Sequence, residues 1–345
     1  MRLANQYLFI LFVLLILTTS ALAAEYPSFE NDEYLAKEYA QCTDASFVPI
    51  EFFSHNHDKY EFGKCFDNYY NTLNRKKVTS LDWANVVACA NKNDDRETLM
   101  MLYANGFGVK KNINSAILHT CFVGGAPAEI KARLAHLNAL KNPKKQTSKV
   151  KIFDICDDIT SGMMMGTCAY YDEKQKDIKR TAELSKLTSN WPADQKVSFS
   201  KLAKLQREFA NSHSEKEIDL SGSGRVAFQL WEQSSELDNF LINFKNFEAK
   251  KFPDYSHNEY LNFDKKLNEH FKAIISLLEL KKDYPLVQSN KADFISTQKL
   301  WLTYRDEYIK FGLLRYPNIK PYMWNAKITK HRLEQLKEFR ELLTD

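Results

Sequence analysis

Glycine is scarce in this chain, with ten among 345 residues, about 3% against the ~7% usual for proteins. This scarcity disfavours folds built on many tight β-turns and argues against glycine-rich nucleotide loops. Extremes of charge are also missing, because 48 Lys and Arg against 44 Asp and Glu leave a net charge of +4. Nothing in the composition therefore implies a nucleic-acid partner. We expect a soluble, helical, globular protein whose function the composition does not reveal.

Long apolar runs are missing beyond the N-terminus. Residues 8–17 are ten consecutive apolar residues, Arg2 precedes them, and small residues follow up to Ala23. This order is typical of a secretory signal peptide, here 1–23, with cleavage before Ala24. A membrane anchor is the alternative, but ten helical residues span about 15 Å, whereas a bilayer core requires roughly twenty residues. We therefore expect an exported protein, periplasmic or secreted, with no membrane insertion after cleavage.

Cysteine is confined to the first half of the chain, so residues 169–345 must be held together by packing alone. Six cysteines in an exported chain favour three disulfides over metal ligation or catalysis, and there is no Cys-x-x-Cys pair. Two of them lie symmetrically about a turn near Lys77, which would place them across a helical hairpin. The candidates are Cys42, Cys65, Cys89, Cys121, Cys156 and Cys168. Pairing Cys65 with Cys89 is one possibility; Cys42–Cys65 with Cys89–Cys121 stays open.

Apolar residues recur at intervals of three and four, as at Leu267, Phe271 and Ile274, and no strand-like alternation or Asn-Gly hairpin is found. The pattern predicts an all-α protein. Two polar breaks interrupt it: the basic segment 141–151, which reads as a linker, and residues 248–258 around Pro253. They divide the chain into blocks 24–140, 152–247 and 255–345.

The first block contains a short repeat. Ala84 and Cys89 are matched 32 residues later by Ala116 and Cys121, and the clear unit, 95–124, holds the glycines Gly106, Gly108 and Gly124. This unit resembles the Sel-one-like repeat, a relative of the tetratricopeptide repeat, in which glycine ends the first helix in a left-handed conformation. The resemblance implies a short helical-repeat solenoid used for protein contacts.

The second and third blocks resemble each other and a known family. The third block holds Asp264, Leu267, Asn268, Phe271, Gln298, Trp301, Tyr304, Arg305, Asp306, Thr329, Arg332, Leu333 and Leu336 in an order and spacing similar to the LprI-like lysozyme-inhibitor domain. The second block carries the opening half of that pattern, with Cys156 and Cys168 at the family's separation, and Gly222 and Gly224 mark a turn before its closing helix. The resemblance implies two small, bundle-like helical domains in tandem.

Both copies depart from the family pattern. The family has four cysteines per domain, whereas the second block has two and the third has none. The second block also lacks the Trp and the Tyr-Arg-Asp of the third. With the resemblance as a guide, Cys156 is expected to pair with Cys168, closing a short loop that contributes about 3 kcal/mol on the chain-entropy model.

Trp301, Tyr304, Arg305 and Asp306 are the candidate partner-binding residues, because Trp, Tyr and Arg dominate interface hot spots. The alternative is a helix that buries the two aromatic rings while the charged pair contacts neighbouring helices. Two further groups favour structural roles: His55 and His57 in a polar loop without a third metal ligand, and the run 163–165 of methionines in a core.

Ser198-x-x-Lys201 and Ser296-x-x-Lys299 match the Ser-x-x-Lys of penicillin-recognising enzymes, but such matches are expected by chance in a lysine-rich chain, and neither Ser-Asp-Asn nor Lys-Thr-Gly accompanies them. The sequence contains no zinc-protease motif, nucleophile elbow, phosphate-binding loop or dinucleotide fingerprint, so we expect no catalytic residues, no metal and no cofactor. The resemblance implies an exported bacterial binding protein that inhibits a lysozyme-type glycosidase by occluding its cleft, without catalysis. The alternative is an envelope or secreted scaffold for protein contacts, in which the repeat block recruits a partner.

Overall fold

The protein is all-α over the part of the chain that the structure, a computed structural model, describes: residues 63–123, 125–141, 151–280 and 289–344. These ranges contain eleven α-helices, one 3-10 helix and no strand, which confirms the predicted fold class. The helices are α1 Phe66–Leu73, α2 Ser80–Asn93, α3 Arg96–Asn105, α4 Ile113–Phe122, α5 Pro127–Lys141, the 3-10 helix Ile155–Asp158, α6 Gly162–Thr188, α7 Ala193–Lys216, α8 Arg225–Glu248, α9 His257–Leu280, α10 Lys291–Arg315 and α11 Pro321–Leu342.

Helices α1 and α2 form the hairpin expected about Lys77. Cys65 and Cys89 are joined across it, with their Cα atoms 6.0 Å apart. Helix α2 begins with a capping box between Thr79 and Asp82, which satisfies two backbone N–H groups that a helix start otherwise leaves unpaired. The cysteine pairing expected for a hairpin is therefore the one present.

Helices α3 and α4 are the two helices of the predicted repeat unit. Gly106 ends α3 with φ of 77°, in the left-handed region where glycine is unstrained. Asn112 begins α4, its side-chain oxygen accepting from two backbone N–H groups of the first turn. The expected glycine geometry is confirmed at Gly106, Gly124 lies outside the described residues, and the assignment to a repeat family stays a prediction.

The remaining six helices form two triplets, each running up, down and up. In the first triplet α6 lies parallel to α8, and Arg180 of α6 binds Asp238 of α8 with a nitrogen–oxygen distance of 2.8 Å. Helices α9 and α11 pair in the same way in the second triplet. The middle helices, α7 and α10, pack antiparallel to each other, with Ser212 bonded to Thr297 at 2.7 Å. The two triplets therefore meet through their middle helices.

One core serves both triplets. Phe199 of α7, Phe244 of α8 and Phe311 of α10 are buried in mutual contact, with ring centroids 5.0 to 5.6 Å apart. The blocks 152–247 and 255–345 thus share their apolar interior, and their description as two domains stays a prediction. A second core lies among α1–α5, and Met164 and Cys168 at the start of α6 belong to it. Helix α6 therefore links the two cores.

Candidate functional site

A cleft of about 600 Å³ lies where the first core meets the first triplet. Its walls come from α1, the segment 151–159, α6 and one residue of α8, and most of the lining is apolar. Clefts of this size, apolar with a few convergent polar groups, are where proteins most often bind ligands and partner side chains. We therefore take this cleft as the candidate functional site. Its lining includes Tyr70, Ile152, Asp154, Met165, Tyr171 and Trp231.

The segment that forms one wall is held to α3 by its backbone. The side chain of Asn105 accepts from the N–H of Phe153 and donates to its carbonyl oxygen, both at 2.8 Å. The Phe153 side chain is fully buried beneath this contact. The Asn105 side chain thus pairs with both the N–H and the carbonyl group of Phe153, as the backbone of a neighbouring β-strand would. These two hydrogen bonds hold the wall in place without a sheet.

The opposite wall is the start of α6, and three contacts hold it in place. The Glu129 carboxylate accepts from the backbone N–H groups of Thr160 and Ser161 at 2.9 and 2.7 Å. Cys156 and Cys168 are at disulfide distance, with Cα atoms 5.7 Å apart, as the family resemblance implied. Gly162 also lies against the turn before α8, so close that a Cβ there would be 2.3 Å from the Ser223 backbone. The cleft is therefore preorganised.

The polar centre of the cleft is the pair Tyr70 and Asp154. The tyrosine hydroxyl donates to the carboxylate at 2.8 Å, and the Cys156 N–H donates to the same oxygen at 2.9 Å. Burial raises the pKa of Asp154 above its usual value, even though the hydrogen bonds from Cys156 and Tyr70 favour the charged form. Asp154 forms no salt bridge with any described residue. It is one of three carboxylates that line the cleft, with Asp157 and Asp172.

The cleft opens onto apolar side chains that water reaches. We call the four residues Ile152, Met165, Phe228 and Trp231 the cleft rim. Trp231 is 47% exposed and lies against Phe228, with ring centroids 5.9 Å apart. Phe228 and Met165 both lie beside Gly224 at the start of α8. Exposed aromatic groups that adjoin an apolar cleft are typical of interaction surfaces.

The predicted partner-binding residues lie elsewhere, on α10. Trp301 is 2% exposed and Tyr304 8% exposed, which confirms the alternative in which the two rings are buried. Arg305 stacks over the Trp301 ring at 5.4 Å and bonds to its neighbour Asp306 at 2.8 Å, so this ion pair stays within one helix instead of joining neighbouring helices. Trp301 and Tyr304 border a second, smaller pocket of about 220 Å³. A partner-binding role for the four residues stays a prediction.

A buried polar cluster joins the two triplets beneath this region. Arg332 of α11 binds both carboxylate oxygens of Glu217, which follows α7, at 2.6 and 2.8 Å. Burial alone would raise the pKa of Glu217, but Arg332 and His213 outweigh burial and lower it to about 2. Burial would likewise lower the pKa of His213, but its bonds to Glu217 and Glu232 raise it to about 9. The cluster is charged at neutral pH, and its buried ion pair holds the two triplets together.

The remaining predicted residues lie in the core, at the surface or outside the described ranges. Met164 is buried, as core packing requires, whereas Met163 is exposed. Cys121 is disulfide-bonded, while Cys42, His55, His57 and the signal segment 1–23 lie outside the described residues. Among the residues that the structure describes, no group of three His, Cys, Asp or Glu side chains is placed to hold a metal ion. Within the same ranges, no helix combines the length and apolar character that a membrane crossing demands.

Sequence reasoning missed the cleft. Tyr70, Asp154 and Trp231 come from three separate segments; Trp231 belongs to the closing helix of the second block's pattern, but no motif brings the three residues together. In comparisons with known proteins, no family model, no curated protein and no solved structure matches this chain. The two family resemblances therefore stay predictions carried by the residues quoted for them.

Proposed function

We propose that this chain is an exported binding protein that docks a protein partner at the cleft and its rim. The observation that carries the proposal is the exposed ring of Trp231 beside a preorganised, mainly apolar cleft. A tryptophan half in water gains more free energy from a partner than most surface residues do, and such residues centre interface hot spots. Export is supported by the Cys65–Cys89 and Cys156–Cys168 pairs, which suit an oxidising compartment.

The partner class that we propose is a lysozyme-type glycosidase, on the ground of the LprI-like pattern in the third block. In this proposal an apolar side chain of the enzyme enters the cleft, the rim packs around it, and the Asp154 carboxylate accepts from a donor group beside it. The bound chain then covers the enzyme's substrate groove. Inhibition is by occlusion and needs no catalytic group on this chain.

A titration tests this function. The purified protein is added to several lysozymes, and lysis of a cell-wall substrate is followed by turbidity. We expect saturable slowing for at least one enzyme at concentrations up to tens of micromolar, the range of specific but modest affinity. Unchanged lysis by every enzyme over that range would contradict the inhibitor proposal.

The second candidate is an envelope or secreted scaffold without inhibitory activity. It is favoured by the position of the cleft, whose walls come from both α1 and α6 and so join the repeat-like block to the first triplet. Affinity capture from envelope extract tests it, with the intact chain and its Trp231→Ser variant as baits. Point variants are preferable to deletion of 24–140, because that deletion would expose Met164 and Phe153 of the first core. A partner that the intact chain and the Trp231→Ser variant capture equally does not bind through the cleft rim, and this result would contradict docking there.

A further inference from the structure

We propose that the second pocket, between α7, α8, α10 and α11, is a binding site for a small organic carboxylate. This pocket of about 220 Å³ shares no lining residue with the cleft, so the proposal is independent of the function proposed above. At about 30 Å³ per water molecule it has room for about seven waters, which suits a small metabolite better than a peptide. Its lining includes Tyr255, Trp301, Tyr304, Tyr308 and Lys327.

The first observation is an unpaired cation. Lys327 of α11 is half-buried at the pocket, and its ammonium forms no hydrogen bond or salt bridge with any described residue. Burial lowers the pKa of Lys327, and the like charge of Lys330 lowers it further. Lys330 also lines the pocket, with its ammonium 5.9 Å from the centre of the Tyr255 ring. Glu334, exposed at the pocket, is the carboxylate that acts on Lys327, so the two ammonium groups together leave an excess of positive charge that favours an anion.

The second observation is a hydrogen-bond donor without an acceptor. Tyr308 is 4% exposed, and its hydroxyl has no partner among the described residues. A buried hydroxyl left unsatisfied costs free energy, so in native proteins it usually marks a place for a bound molecule or a role in a site. Tyr255 interacts electrostatically with Tyr308 and lines the same pocket. Tyr308 itself also lines the pocket.

The other lining groups set the chemical class. Glu334 is the acidic group at the pocket, and it lies exposed at the surface. His331 also lines the pocket and is already bonded to Glu236 at 2.7 Å. The rings of Trp301, Tyr304 and Tyr255 offer apolar contact to a carbon skeleton. A carboxylate oxygen near Lys327 and Tyr308 with a flat or compact apolar body among the rings satisfies all these groups.

Benzoate is the probe, because it joins a carboxylate to a compact ring, and benzamide is its uncharged counterpart. Binding to the full chain is followed by isothermal titration and by NMR chemical shifts at constant ionic strength. We expect saturable benzoate binding, with benzamide and inorganic phosphate at least about tenfold weaker, because hydrogen bonds to charged groups contribute that much. Absence of saturable benzoate binding, or equal binding of phosphate, would overturn the proposal.

Variants assign the residues. Lys327→Gln should weaken benzoate at least about tenfold, whereas Lys337→Gln, an exposed lysine on the same helix and outside the pocket, should leave it unchanged. Tyr308→Phe separates a binding role from a structural one. Because it removes an unsatisfied hydroxyl, the free protein should keep or gain stability. Benzoate should nevertheless bind about threefold to tenfold more weakly. If both Tyr308→Phe and Lys327→Gln fold normally and bind benzoate as the parent does, the assigned site is wrong.

Discussion

The guanidinium of Arg332 and the carboxylate of Glu217 form a fully buried, two-pronged ion pair between residues 115 positions apart. Both charges are completely removed from water, which is costly unless every donor and acceptor is satisfied. Here the remaining groups are satisfied by Gln298 and His213, at 3.0 and 2.9 Å. The pair therefore joins the end of α7 to α11 where the two triplets meet.

Removal of one partner of this pair should be among the most damaging changes in the chain. Arg332→Met leaves the Glu217 carboxylate buried without its cation, and such losses cost about 3–5 kcal/mol. The control is Lys204→Met, because Lys204 and Glu208 form an exposed pair at 3.8 Å, whose loss should change stability by less than about 0.5 kcal/mol. Urea unfolding measures both variants. Similar small losses for both would show that the buried pair does not hold the triplets together.

The pH dependence of stability should follow from the same cluster. The pKa of His213 is raised in the folded state to about 9 from an ordinary 6.5, so its contribution is complete below pH 6.5 and is lost as pH rises through 9. The pKa of Glu217 is lowered to about 2 from 4.5, so its contribution is complete above pH 4.5 and is lost as pH falls through 2.

Urea unfolding at a series of pH values tests this behaviour. The unaltered chain should lose stability between pH 6.5 and 9, and His213→Gln should show a smaller slope over that interval. His331 adds to the loss in both proteins, because its pKa is also raised, through Glu236. Equal slopes for the two proteins would mean that His213 is not charged when buried.

The pair Cys156–Cys168 should stabilise the start of α6 and the cleft. It closes a loop of 12 residues, and the double variant Cys156→Ser/Cys168→Ser should lose about 3 kcal/mol on the chain-entropy model. Denaturant unfolding measures the loss. Alkylation under denaturing, non-reducing conditions gives a direct check, since labelling of Cys65, Cys89, Cys156 or Cys168 would contradict the pairing.

The shared core predicts that both triplets unfold together. Phe311 of α10 is fully buried, and its ring lies 5.6 Å from that of Trp191, two residues before α7. Phe311→Ala should cost about 3–5 kcal/mol, because it leaves a cavity among aromatic rings. Hydrogen exchange should show lower protection in α7 and α8 as well as in α10 and α11. A loss confined to α9–α11 would support two independent domains.

Helices and local turns were the predictable part of this fold. Leu267, Phe271 and Ile274 recur with helical spacing, and a glycine such as Gly106 can be located from sequence because its left-handed φ has few alternatives. The burial of Trp301 and Tyr304 also followed from that spacing, as one of two readings. Such features depend on residues within one or two turns.

The cleft and the ion pair were not predictable, because each depends on contacts across many residues. Tyr70 bonds to Asp154 84 positions away, and nothing near either residue specifies the partner. Trp231 looks like any aromatic residue of an amphipathic helix until α6 is placed beside it. Periodicity identifies which face of a helix is apolar, but it does not say which apolar residues remain exposed.

The most direct test of the proposed function compares two surface variants in the lysozyme assay. Trp231→Ser removes the exposed ring of the cleft rim, and Leu261→Ser removes a similarly exposed apolar side chain on α9, away from the cleft. For a lysozyme that the unaltered chain inhibits, Trp231→Ser should raise the inhibition constant by about tenfold or more, the effect of losing an interface hot spot. Leu261→Ser should leave it unchanged. Equal inhibition by both variants and the unaltered chain would contradict docking at the cleft.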